Sequence, residues 1–129
     1  MDRFWPSEKT WTMIKGFEEY TYDLSEEEKN HARYVYRMLI RTAEPITNAE
    51  ICEKLDKLGI KTSGPRIRKM INWMHIHGHL PNLIADSRGY HFAQNRQQLA
   101  DYAESLHGRI HAIRGRYERV IADLKQWEK

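Results

Sequence analysis

The stretch TNAEICEKLDKLGIKTSGPRIRKMINWMHIHGHLPNLIADSRGYHFA, residues 47–93, decides the fold because two helix starts and a hairpin follow one another within it. Thr47 with Glu50 three residues later is the pattern of a capping box, in which each side chain accepts a backbone amide. A helix is therefore expected from Asn48, and Gly59 is expected to end it in a left-handed conformation. Its apolar residues recur at helical spacing: Ile51, Leu55 and Leu58.

A second helix follows a short turn. Ser63 is another capping residue, and Pro65 falls in the first turn, where its missing amide donor costs nothing. This helix is expected to run to about His77 and to stop at Gly78. One stripe carries its apolar residues, which are Ile67, Met70, Ile71 and Met74.

The N-terminal half of the second helix is crowded with cations. Arg66, Arg68 and Lys69 all lie there. Because positive charge at the start of a helix opposes the helix dipole, these residues indicate a role other than stability. An anionic partner accounts for them.

A hairpin is expected after the second helix. Residues 83–84 and 90–92 have the composition of short strands, and Asp86-Ser87-Arg88-Gly89 has that of the turn between them. The chain therefore predicts a mainly α domain with a small β-hairpin.

This order of elements resembles the winged helix-turn-helix family of DNA-binding proteins. The phrases GPRIRKMINWMHIHG and LIADSRGYHFA are also similar to small winged-helix proteins encoded by bacteriophages and bacterial mobile elements. The likeness covers about Leu24 to Asn95. It implies double-stranded DNA as the partner, with helix 63–77 in the major groove and the hairpin at 83–92 as a wing on the flanking backbone or minor groove.

The resemblance and the charges together predict the residues that contact DNA. Arg66 and Arg68 are expected to contact bases or phosphates, and Ser63 with the amides after it is expected to approach a phosphate. Arg88 at the wing tip is expected to enter the minor groove. The remaining candidates are Lys61 and Lys69 for positioning charge, Gly89 for the tight turn, and Asn72. The alternative for each arginine is an exposed side chain in a surface ion pair.

The distribution of charge supports this interpretation better than the net charge of +3 does. Residues 1–30 contain four Lys or Arg and eight Asp or Glu, a balance of −4. Residues 61–95 contain five Lys or Arg against Asp86 alone, a balance of +4. Positive charge is thus concentrated in the segment expected to meet phosphates.

Three segments are expected: an aromatic N-terminal arm at 1–23, the winged helix-turn-helix domain at 24–95, and a long helix at 96–129. The arm packs on the chain itself or binds a partner. The domain's first helix is expected to start at Ser25 and run to Thr42, with a core stripe of Val35, Met38, Leu39 and Thr42. Its other side carries Arg33, Arg37 and Arg41, either as a solvated face or as phosphate contacts.

The long helix carries a heptad seam. Apolar residues alternate steps of four and three through Leu99, Ala103, Leu106, Ile110, Ile113, Tyr117, Val120, Leu124 and Trp127. We expect a homodimer, with antiparallel pairing of the C-terminal halves favoured because it sets Arg116 against Asp123. The alternative is that the helix folds back and buries its seam against the aromatic arm.

Other classes of protein are disfavoured by the sequence. No apolar run matches a membrane span or a signal peptide, so a soluble, cytoplasmic protein is expected. Cys52 is the only cysteine and is expected in the core, and the seven histidines lack further ligands at metal-binding spacing. No catalytic motif is present, and neither a cofactor nor a small-molecule substrate is expected. Regulation of transcription is the first interpretation; the alternatives are a protein-interaction module and an accessory factor in phage replication or excision.

Overall fold

The computed structural model describes residues 23–127. In this part of the chain the elements are helices α1 (Glu26–Arg41), α2 (Asn48–Lys57), α3 (Gly64–Ile76) and α4 (Arg96–Trp127), and strands β1 (Leu83–Asp86) and β2 (Gly89–Phe92). The fold class, mainly α with a small antiparallel hairpin, is therefore confirmed. The chain divides into two compact units after Phe92. The aromatic N-terminal arm lies outside the described residues, Asp23 excepted.

The starts of α1 and α2 are set by capping boxes; the one at Thr47 was predicted, and for α1 the start at Ser25 was predicted. The Ser25 hydroxyl accepts the amide of Glu28 at 3.1 Å, and the Glu28 carboxylate accepts the amide of Ser25 at 3.0 Å. Thr47 and Glu50 form the same reciprocal pair at 3.2 Å in both directions. Two otherwise unsatisfied amides at each helix start thus gain acceptors from neighbouring side chains.

Helix α3 begins as the sequence predicts and ends at Ile76, followed by the capping residue His77. The amide of Arg66 donates to the Ser63 hydroxyl at 3.4 Å, and Pro65 occupies the first turn. Gly78 then adopts a left-handed φ of +81°, which ends the helix without a side-chain clash.

The core of the first unit lies between the three short helices and the hairpin. Its largest fully buried side chains are Val35 and Leu39 from α1, Ile51 and Leu55 from α2, and Ile67, Met70 and Ile71 from α3, joined by Ile46 and Leu80. Cys52 is partly buried against this core, as expected. Fully burying a side chain of this size contributes about 1.5–3 kcal/mol.

Two residues predicted for the core stripes lie elsewhere. Leu58 is 56% exposed because α2 ends at Lys57, and Leu58 is the capping residue with φ −91° and ψ 5°. Thr42 likewise caps α1 and is half-buried, with its hydroxyl donating to the carbonyl of Glu44 at 2.6 Å. In both cases the apolar spacing continues past the residue at which the helix ends.

The hairpin pairs Leu83 with Phe92 at its open end and Asp86 with Gly89 next to the turn. Both strands are longer than predicted. A further bridge joins β2 to the segment between α1 and α2, because Ile46 and Tyr90 exchange two backbone hydrogen bonds of 3.0 and 2.7 Å. The hydroxyl of Tyr90 also donates to the Asn48 side chain at 2.9 Å. The hairpin is therefore fastened to the start of α2.

The second unit contains α4, a helix of 32 residues. At 1.5 Å per residue its length is about 48 Å. None of its residues is buried. The seam residues of its C-terminal two-thirds are each more than half exposed, namely Ile110, Ile113, Tyr117, Val120, Leu124 and Trp127, whereas Ile121, which lies off the seam, is half-buried. One continuous apolar seam thus faces solvent.

Candidate nucleic-acid interface

The start of α3 presents cations to solvent. Arg66 and Arg68 are exposed, and so are Lys61 just before the helix and Asn72 two turns into it. The first turn contains no acidic residue. Within residues 23–127, neither arginine forms an ion pair. This end of the helix is positive both by its dipole and by its side chains, and nothing described nearby neutralises it.

Unlike Arg66 and Arg68, Lys69 forms an ion pair. Its ammonium lies 3.1 and 3.3 Å from the two carboxylate oxygens of Glu28 in the first turn of α1, and the two side chains are 25% and 13% exposed. Partial burial opposes ionisation of Glu28, but hydrogen bonds from Ser25 and Lys69 outweigh it and lower the pKa of the carboxyl. Lys69, which was predicted to supply positioning charge, is thus engaged in an ion pair that joins α3 to α1.

The N-terminus of α3 offers few free amides. The Ser63 hydroxyl already accepts the amide of Arg66, and Pro65 has no amide hydrogen to donate. The amide of Gly64 remains at the first helical position. An anion approaching this end would therefore depend on the side chains of Arg66 and Arg68 more than on backbone donors.

The hairpin tip contains a cluster of three polar side chains. Asp86 accepts the backbone amide of Arg88 at 2.9 Å, the Arg88 guanidinium at 3.1 Å and the His91 ring at 2.8 Å. Burial opposes ionisation, but the hydrogen bonds from His91 and Arg88 outweigh it and lower the pKa of Asp86 to about 2. The Arg88 side chain remains 65% exposed. Arg88 therefore reaches solvent from an anchored position, and none of its described contacts joins it to α3.

The sequence reasoning identified Arg88 and missed its partners. Aspartate at the first position of a turn commonly accepts the backbone amide two residues later, so the Asp86–Arg88 hydrogen bond could have been predicted from the sequence. His91 required the strand register to be known, since the observed pairing sets it opposite Ile84 on the other strand. The contacts between Asp86 and Arg88 are therefore local in sequence, whereas the contact between Asp86 and His91 depends on strand pairing.

Gly89 has a packing role. Its φ is +118°, and a Cβ built there would lie 2.5 Å from the carbonyl oxygen of Ile46. No other residue fits this close approach of backbone to backbone. Gly89 was predicted with the DNA-contacting residues for allowing a tight turn; in the structure it allows β2 to reach the segment before α2.

A groove of about 720 Å³ runs between α1 and the C-terminal part of α3. Arg33, Arg37 and Arg41 line it from α1, and Trp73 lines it from α3. Trp73 is half-buried, and its ring stacks on the His77 ring with centroids 4.2 Å apart. The arginine stripe therefore borders an apolar groove.

Within residues 23–127, no group of three or more His, Cys, Asp or Glu residues is placed to hold a metal ion. His107 and His111 stack on each other with ring centroids 6.2 Å apart. No helix in the same range combines the length and apolar character needed to cross a membrane.

Comparisons with known proteins found no family model, no curated protein and no solved structure that matches this chain.

Proposed function

We propose that this chain is a winged helix-turn-helix DNA-binding protein, in the first instance a transcription regulator, with α3 as the helix that enters the major groove. The observation that carries the proposal is the pair Arg66 and Arg68, exposed and without a described carboxylate partner at the positive end of α3. Such an arrangement costs helix stability unless an anion is bound. A polyanion with regularly spaced phosphates is the partner that fits it.

The order of elements supports the winged-helix part of the proposal. Helices α1, α2 and α3 are followed directly by the hairpin, and an isolated bridge joins Ile46, between α1 and α2, to Tyr90 of β2. In a helix-turn-helix protein the second helix of the pair lies in the groove with its N-terminal residues near the base edges. Helix α3 is that helix here.

Each cation then has a proposed role. Arg66 and Arg68 contact base edges or phosphates, and Lys61 adds positioning charge beside them. Asn72, exposed further along α3, suits an adenine in the major groove. Arg88 extends from the wing tip towards the flanking backbone or minor groove, and part of its charge is already neutralised by Asp86.

Helix α4 is proposed to form a homodimer through its seam. The support is the exposure of the predicted seam residues: Leu99 and Leu106 are half-buried, and Ile110, Ile113, Tyr117, Val120 and Leu124 are more than half exposed. A second copy of the helix would remove this surface from water. Antiparallel pairing near Val120 sets Arg116 against the Asp123 of the second copy, which Arg119 already contacts within the helix at 2.8 Å.

The experiment is fluorescence anisotropy with a random 30-base-pair duplex at several salt concentrations. With about four phosphates neutralised per protomer, the log–log slope of affinity against salt should be about −4, so affinity falls roughly 200-fold between 50 and 200 mM. Replacing both arginines, R66A/R68A, should weaken binding and flatten the slope. The matched control K54A/K57A removes the same charge from exposed positions on α2. Absence of binding at low salt, or equal loss in the two variants, would refute the proposal.

A second candidate function is a protein-interaction module that binds an acidic protein. The observation that favours it is the apolar groove bordered by Arg33, Arg37 and Arg41. The same titration separates the two functions, because an interaction module would show no salt-dependent affinity for duplex DNA that depends on Arg66 and Arg68. A role in phage replication or excision would use the same DNA contacts as regulation, so it is distinguished by the target site.

A further inference from the structure

The groove between α1 and α3 has an apolar wall that is only partly covered. Tyr36 and Ile40 on α1 are 37% and 51% exposed, although they face a groove closed on its other side by Trp73 and Met74. Leaving such a surface in water costs free energy in proportion to its area. The groove is therefore built to take an apolar or aromatic occupant.

The charges along the rim of the groove indicate the charge of a suitable occupant. Arg33, Arg37 and Arg41 repeat every four residues along α1, a spacing at which like charges repel one another on a helix. Among residues 23–127, none of the three forms an ion pair. An occupant with carboxylates along its edge would relieve this repulsion.

One segment of the chain has this composition and is tethered beside the groove. Residues 17–22 read FEEYTY, three aromatic side chains around two carboxylates, and Asp23 follows them. The chain then enters the domain through Leu24, which is buried in the core directly before α1. The groove begins at Lys29, five residues along the chain from Leu24.

The lengths match. The part of α1 from Lys29 to Arg41 is about 18 Å long at 1.5 Å per residue. Six residues in extended conformation span about 20 Å. A strand running back along α1 and turning into the helix at Leu24 would therefore cover the groove from end to end. A short tether also gives this segment a local concentration in the millimolar range, which favours it over a separate protein of the same composition.

We propose that residues 17–22 dock into the groove between α1 and α3 of their own chain, with the aromatic rings on Tyr36, Ile40 and Trp73 and the carboxylates of Glu18 and Glu19 beside the arginine stripe. This inference is independent of DNA binding, since none of its contacts uses Arg66, Arg68 or Arg88.

The first test uses Trp73 as a reporter in the full chain. The substitutions W5F, W11F and W127F leave it as the only tryptophan, and acrylamide, an uncharged quencher, measures its exposure. Replacing the three aromatic residues of the segment, F17S/Y20S/Y22S, should roughly double the quenching constant. The matched control replaces three aromatic positions in the first half of the arm, F4S/W5S/W11S, and should leave the constant nearly unchanged. No increase, or an equal increase in both variants, would overturn the proposal.

The second test does not depend on the stability of those variants. In a Cys52→Ala background, the substitutions Phe17→Cys and Ile40→Cys should give a disulfide under mild oxidation, in a chain that runs as a monomer on a non-reducing gel. The control combines Phe17→Cys with Leu58→Cys, because Leu58 is similarly exposed but lies outside this groove. Disulfide-linked dimers would assign the occupant to a second copy, and equal reaction of both pairs would deny a defined site; either result contradicts the proposal.

Discussion

Lys69 on α3 and Glu28 in the first turn of α1 form an ion pair with 3.1 Å between the ammonium and a carboxylate oxygen. The same carboxylate caps α1 through the amide of Ser25. One side chain therefore sets the start of a helix and joins it to its neighbour. Its contribution to stability can be measured.

Breaking this pair should destabilise the first unit. K69M leaves the Glu28 carboxylate mostly buried with fewer partners, and we expect a loss of about 1–3 kcal/mol in the free energy of unfolding, the range for a stranded hydrogen-bonding group. Urea denaturation at pH 7 measures it. K61M, at an exposed lysine, should change the free energy by less than about 0.5 kcal/mol. Equal effects of the two changes would show that the ion pair contributes nothing specific.

Acid should remove the contribution of the Asp86 carboxylate to the free energy of unfolding. Its pKa is about 2 in the folded chain against an ordinary value of 3.8. Because the folded value is the lower one, the stabilisation is complete above pH 5 and is lost as the pH falls from about 4 to 2. The side chain is one-third exposed, so solvent screening reduces the effect to about 1 kcal/mol.

The check for Asp86 is a comparison of D86N with the wild type. At pH 7 the variant should be less stable, and by pH 2 to 2.5 the difference should shrink as the wild-type carboxyl becomes protonated. Glu28 also has a lowered pKa, but it titrates in both proteins and cancels in the difference. A difference that stays constant with pH would contradict the assigned role of the carboxylate.

Gly89 should tolerate no side chain. G89A would place a Cβ 2.5 Å from the Ile46 carbonyl oxygen at a φ of +118°. We expect a loss of about 2 kcal/mol or more in stability, as for a residue forced into strained backbone geometry. G64A is the control, because its Cβ would meet only a flexible arginine atom at 3.9 Å. Denaturation curves that coincide for the two variants would exclude the close approach.

Polar substitutions in the seam of α4 should prevent dimerisation. The double variant I113N/V120N replaces two exposed seam residues, and A112N/A122N makes the same change away from the seam. Sedimentation equilibrium of the full chain should report a dimer for the wild type and for the control, and a monomer for the seam variant. A wild-type monomer at high protein concentration would contradict the proposed pairing.

The features predicted correctly from sequence are those determined by residues close together in the chain. The helix starts at Ser25 and Thr47 and the turn at the hairpin tip each depend on side chains within three residues of one another. The prediction that Leu58 lies in the core was wrong because spacing alone does not fix the residue at which a helix ends. A difference of one residue decides whether a side chain faces the core.

The remaining features depend on contacts between distant parts of the chain. Nothing local to Lys69 indicates that Glu28 lies beside it, so the sequence predicted only that Lys69 supplies positioning charge and did not reveal the ion pair. The bridge from Ile46 to Tyr90 and the groove along α1 likewise exist only once the helices have packed. The exposure of Arg66 and Arg68 at the start of α3 was therefore predictable from the sequence, whereas the surroundings of Lys69 and Gly89 depend on packing between distant segments.

The two hydrogen bonds between Ile46 and Tyr90 have a further consequence. A two-stranded hairpin alone is marginally stable in water and would sample many orientations relative to the helices. Anchored by these bonds, the tip that carries Arg88 and the helix that carries Arg66 belong to one cooperative unit. The entropy of arranging them is lost when the chain folds, so a ligand that engages both meets a surface already in place and binds without that cost.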